Sequence, residues 1–125
     1  KPRICIGTDS QVKGSLVEFA TVILFLRKGM GGFMYVNKEL LSLKLNIRER
    51  MMKEVNKSIE IAYSLHEILQ KYDIKPEIHV DINTSQNHKS NVALQDAMGY
   101  IKGMGYDFRA KPDAIASTNC ANKVL

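Results

Sequence analysis

The hydrophobic pattern of this chain changes character at Asn46. Before it, apolar residues recur as they do in strands; after it, helical segments alternate with short strands. A chain built this way can pair its early strands with one another and must then cover them with its later segments. That restricts it to a mixed sheet with helices packed on its faces. Residues 3–9 (Arg-Ile-Cys-Ile-Gly-Thr-Asp) read as a first strand, with Ile4, Ile6 and Thr8 on one side and Cys5, Gly7 and Asp9 on the other. Ser10 to Ser15, around Gly14, reads as a turn. Leu16 to Arg27 is apolar on both faces and predicts an interior strand. Lys28 to Gly32 predicts a hairpin connection, and Phe33 to Asn37 a shorter third strand.

A long helix is expected next. Asn46 is a suitable N-cap, with Glu49 three residues on as its capping-box partner. Ile47, Met51, Val55, Ile59, Ala62, Leu65 and Leu69 form its apolar stripe, and Asp73 to Pro76 ends it. Glu77 to Ile82 alternates cleanly: Ile78, Val80 and Ile82 against His79 and Asp81. Asn83 to Ser90 reads as a polar loop. A second helix, capped by Asn91, carries Leu94, Met98 and Ile101 and closes at Gly103 and Gly105. Tyr106 to Ala110 is a fifth strand, and Pro112 opens a last helix through Ala114, Ile115, Ala121 and Val124. The order is β-β-β-α-β-α-β-α: a single α/β domain over residues 1–125, with a mixed five-stranded sheet.

Four acids fall at or near the ends of successive elements: Asp9, Glu54, Asp81 and Asp113. Gathered carboxylates repel and lose hydration unless a cation neutralises them. Strands one and four can be parallel neighbours, which places Asp9 and Asp81 at the carboxyl ends where open α/β sheets bind ligands. Each acid also has a structural explanation. Asp9 suits a turn, Asp81 an Asx turn with Asn83, and Asp113 the first turn of a helix. Glu54 flanks the stripe of its helix, where it could pair with Arg50. Taken as a set, they predict a site for one or two Mg²⁺ or Mn²⁺ ions, which favour oxygen ligands. Two such ions about 4 Å apart can activate water and stabilise a leaving oxygen in phosphodiester hydrolysis.

The pieces Ile6-Gly7-Thr8-Asp9-Ser10-Gln11, Arg50 through Glu54-Val55, His79-Val80-Asp81-Ile82-Asn83, Lys89-Ser90-Asn91 and Lys111-Pro112-Asp113-Ala114 carry a family likeness. By them the chain resembles the ribonuclease H-like superfamily, and within it the bacterial YkuK-like group, over nearly its whole length. The resemblance implies a ribonuclease H-like fold, a metal-dependent nuclease activity, and Asp9, Glu54, Asp81 and Asp113 as ligands. Asp113-Ala114-Ile115-Ala116 is also similar to the acid-bearing last helix of Holliday-junction resolvases. One departure is Asn122, where the resemblance leads one to expect an acid; its carbonyl oxygen is the donor left there.

Composition narrows the alternatives. The chain is 45% apolar with a net charge of +5, its lysines scattered rather than run together. That charge is compatible with a nucleic-acid partner and equally with a basic soluble protein. No apolar run is long enough to span a bilayer. Two cysteines make no disulfide framework or zinc motif, so a reducing cytoplasm is expected. No secretory pattern opens the sequence, and with no opening Met, upstream residues are allowed for. The glycines match neither a phosphate loop nor a dinucleotide fingerprint, and few aromatics argue against a dedicated single-strand binder. Ser10 and Gln11 are candidates to touch a phosphate through backbone donors. Lys89, Lys102 and Lys111 are candidates from the segments bordering the acidic sheet end, against the default of solvated charge. His79 reads as a packed or surface histidine before a proton-transfer group, and His88 as a loop residue. The expectation is a nuclease; the alternative is a non-catalytic module of the same fold that binds nucleic acid or a protein.

Overall fold

The computed structural model describes residues 2–27, 29, 31–42, 44–83, 88–111, 116, 120 and 122–125. Its elements are β1 (Arg3–Lys13), β2 (Leu16–Arg27), β3 (Gly31–Leu41), α1 (Ile47–Ser64), α2 (His66–Lys71), β4 (Glu77–Asn83), α3 (His88–Gly103), β5 (Asp107–Lys111) and a short α4 (Asn122–Val124). They form one five-stranded sheet in the order β3-β2-β1-β4-β5. The first three strands are an antiparallel meander, whereas β4 and β5 run parallel to β1.

Several boundaries differ from the sequence reading. Strand β1 does not stop at Asp9. It continues to Lys13 because β2 pairs with it along its whole length, from Arg3↔Leu26 to Lys13↔Leu16. The turn shrinks to Gly14 and Ser15, and Gly14 takes the left-handed conformation (φ 65°) that a tight hairpin demands. Strand β3 is longer than Phe33 to Asn37 for the same reason: β2 offers partners from Val17 to Arg27. The long helix is broken at Leu65, whose N–H is shared between the carbonyls of Ile61 and Ala62 while Ser64 Oγ donates to Ile61 O. Helix α2 then ends in a Schellman closure, with Ile74 N–H bonded to Leu69 O and Asp73 N–H to Gln70 O. Helix α3 begins at His88, three residues before the expected cap at Asn91. Of the expected last helix, the described residues are Ala116, Cys120 and 122–125.

The expected alternation of β1 holds. Ile4 and Ile6 join Ile78, Val80, Val55, Ile59, Ala62, Leu69, Ala97 and Ile101 in the main core, between the sheet and helices α1 to α3. Cys5 faces the other way and packs with Leu24 and Ala116. Ala20 and Val22 lie under Cys120, Val124 and Leu125. The C-terminal segment therefore covers the second face, which is why β2 is apolar on both sides. No helix among the described residues is long and apolar enough to cross a membrane.

Candidate functional site

The parallel pairing of β1 with β4 is short. It runs from Cys5↔Glu77 to Gly7↔His79. Asp9 and Asp81 each lie two residues beyond the last paired position, and β4 is irregular between Val80 and Asn83, where its register with β5 shifts. Strands β1 and β4 are adjacent and parallel as expected, but Asp9 lies within β1, which runs on to Lys13, rather than at its carboxyl end.

Glu54 is placed by the way α1 lies on β1. Thr8 Oγ1 is 2.7 Å from Ser58 Oγ and 3.0 Å from Thr21 Oγ1, three hydroxyls wholly inside the protein. One turn back along the helix and two residues on along the strand, Ser10 Oγ donates to Glu54 Oε2 at 2.5 Å. The two steps match, since four helical residues rise about 6 Å and two strand residues about 6.8 Å. The Thr8–Ser58 contact thus fixes the register that seats Glu54 over Ser10. Sequence reasoning missed this clasp; the signal was there in Ser58, a polar residue four positions after Glu54 beside the apolar stripe.

Asp9 is 7% exposed and Glu54 8%. The Ser10 N–H donates to Asp9 Oδ1 at 2.8 Å. Burial pushes the Glu54 carboxyl up to about 8; the Ser10 hydroxyl opposes this, while the charges of Asp9 and Asp81 add to it and Arg50 works against it. Glu54 thus lies within electrostatic reach of both Asp9 and Asp81. The three acids are not gathered into a cluster with ligand atoms within 4.8 Å of each other; among the described residues the group that tight is Cys5, Glu77 and His79.

That buried trio is a closed hydrogen-bond network rather than a second ligand set. Arg3 Nε and Nη2 donate to Glu77 Oε2 and Oε1, both at 2.8 Å, and hold its carboxyl down to about 2. The Ala116 N–H donates to His79 Nδ1 at 3.1 Å. A neutral imidazole with an accepting Nδ1 carries its hydrogen on Nε2, which lies 3.2 Å from Glu77 Oε1. Neither ring nitrogen then has a lone pair to give to a metal. Burial lowers the His79 pKa, in keeping with a neutral ring, and pushes the Cys5 thiol up to about 11. His79 is packed, as expected of it.

The remaining expected residues fall in different places. Asp113 lies outside the described residues. Ser10 is buried, and its hydroxyl and N–H are engaged by Glu54 and Asp9, so it holds the acids in place rather than offering donors to a phosphate. Gln11 is exposed on β1, across from Glu18. Lys111 ends β5, across from Asn83 and so at the same end of the sheet as Asp81. Lys89 falls in the first turn of α3, and Lys102 is exposed in its last turn. His88 opens α3 rather than lying in a loop.

Known proteins are similar to this chain in sequence. The curated sequence of the uncharacterized protein YkuK of Bacillus subtilis (strain 168) is 26% identical over 134 residues, spanning 96% of this chain and 77% of YkuK. Among solved structures, RNase H1 from the halophilic archaeon Halobacterium salinarum NRC-1 aligns over 98% of this chain and 99% of its own, with a TM-score of 0.40 and 14% identity. The family model described as Ribonuclease H-like matches residues 1–125. With its five-stranded mixed sheet and its matching sequence from end to end, the chain belongs to the ribonuclease H-like family.

Proposed function

We propose that this protein is a metal-dependent nuclease that hydrolyses phosphodiester bonds of nucleic acid. The observation that carries the reading is the placement of Glu54: a carboxyl made hard to ionise chiefly by its burial, and further by the charges of Asp9 and Asp81. An apolar core gains nothing from such an arrangement, and the cost is removed when a cation joins it. The donors are all hard oxygens, which fits Mg²⁺ or Mn²⁺. Asp9, Glu54 and Asp81 would hold the ion, with Asp113 as the fourth acid on the strength of sequence alone. A bound ion would polarise the scissile phosphate and lower the pKa of a bound water. The protein's own part is to fix the carboxylates: Ser10 orients Asp9 through its N–H and Glu54 through its hydroxyl. Gln11, Lys89 and Lys111 would meet the phosphate backbone near that end of the sheet.

The spacing of the three acids, wider than 4.8 Å as a group, favours the second reading: a non-catalytic module of the same fold that binds nucleic acid or a protein. A nuclease screen decides between them. Purified protein with Mg²⁺ or Mn²⁺ is expected to cleave at least one of RNA, DNA, an RNA–DNA hybrid or a four-way junction, and Asp81→Asn to lower that rate on the order of 10²-fold. No cleavage of any substrate with either ion favours the module; cleavage undiminished in Asp81→Asn points to a contaminant or to a different site and contradicts the acidic site named above.

A further inference from the structure

We infer that His79 is a positioning residue for the acidic site: through its Nδ1 it fixes the C-terminal segment at Ala116 against β4, two residues before Asp81. The inference rests on the nuclease reading above. The His79 side chain is wholly enclosed. A backbone N–H always carries its hydrogen, so the 3.1 Å bond from Ala116 settles which ring nitrogen accepts. The ring is oriented from its other side by Glu77, and Glu77 by the two donors of Arg3, with Arg109 Nε 3.6 Å away. Donation runs from Ala116 through His79 to Glu77, which also accepts from Arg3, so the network converges on the Glu77 carboxylate and links the first residues of β1 and β4 to the C-terminal segment. Bonds so linked polarise and stiffen one another in a dry interior.

Among the described residues Ala116 packs with Cys5, Leu24, Leu26 and Cys120, apolar contacts that have no preferred direction, whereas a hydrogen bond does. The Nδ1 bond allows one placement. His79 shares its strand face with Asp81, and in the sequence Ala116 follows Asp113 by three residues. The histidine therefore ties the C-terminal segment to the strand that bears Asp81.

Two substitutions separate the halves of this role. In His79→Asn the amide oxygen takes the place of Nδ1 and keeps the bond from Ala116. In His79→Gln the amide reaches the place of Nε2, keeping Glu77 and leaving Ala116 without its acceptor. By titration calorimetry on the full chain, His79→Asn is expected to bind Mn²⁺ within about threefold of the unsubstituted protein, and His79→Gln to bind roughly tenfold or more weakly. Nitrogen NMR of the unsubstituted protein is expected to show a bare Nδ1 and a protonated Nε2. The opposite tautomer, or equal Mn²⁺ affinity in the two variants, overturns the inference while leaving the nuclease reading intact. An unsubstituted protein that binds no Mn²⁺ overturns both. Should His79→Gln fail to fold, hydrogen exchange at the Ala116 amide decides: slow exchange in the unsubstituted chain and in His79→Asn supports the role, and fast exchange in either overturns it.

Discussion

Glu54 loses nearly all its water where it meets Ser10, and that loss governs its acidity more than any neighbouring charge. Its carboxyl is pushed up to about 8 from an ordinary 4.5. The folded state therefore binds a proton that the unfolded chain releases. The associated stability is fully present below about pH 4.5 and is lost as pH rises toward 8. Urea unfolding of the unsubstituted protein should give a stability that falls between pH 5 and pH 8 by on the order of 3 kcal/mol, at 1.36 kcal/mol per unit. Glu54→Gln, which cannot ionise, should remove most of that slope and be the more stable protein at pH 8. A slope unchanged by the substitution would mean that Glu54 is ordinarily solvated. Sequence reasoning reached Glu54 through its position at the edge of an apolar stripe. It did not foresee Ser10 as its partner, because Ser10 has the composition of a turn and its strand conformation comes from pairing with Phe19 on β2.

Helix α1 is positioned by polar contacts as much as by its apolar stripe. Its start was legible: Asn46 accepts from Glu49 N–H and the Glu49 side chain from Asn46 N–H, the reciprocal cap expected from the sequence. Its register on β1 was not, since that depends on Thr8, Thr21 and Ser58, three hydroxyls far apart in the chain that meet inside the fold. Thr8→Val keeps the shape and removes the central hydroxyl, leaving two buried groups short of a partner. It should cost roughly 1–3 kcal/mol in chemical denaturation and loosen Glu54, one turn away. An unaltered midpoint would show that apolar packing alone seats the helix. The elements extended beyond their expected ends, β1 and β3, did so because a long neighbour supplied hydrogen-bond partners, a tertiary effect that local turn composition does not report.

At the scale of the whole molecule, the ribonuclease H-like sheet runs β1 and β4 side by side in parallel, and helix α1, packed on one face, sets Glu54 against Ser10 within electrostatic reach of Asp9 and Asp81. The meander, the mixed sheet and the parallel neighbourhood of strands one and four were legible because a meander followed by alternating units leaves few ways to build such a sheet; the place of β5 beside β4 was not read. The buried network of Arg3, Glu77, His79 and Ala116 was not, because each member has an ordinary explanation until the second face of the sheet is assembled. The nuclease proposal requires a divalent cation to bind at the acidic end of that sheet. Titrating paramagnetic Mn²⁺ into the isotope-labelled protein tests this most directly, since the ion broadens the signals nearest to it first. The amides of Asp9, Ser10, Glu54 and Asp81 should fade first at low Mn²⁺, and Asp81→Asn should abolish the effect; broadening centred on Cys5, Glu77 and His79, or uniform weak broadening that Asp81→Asn leaves unchanged, would contradict it.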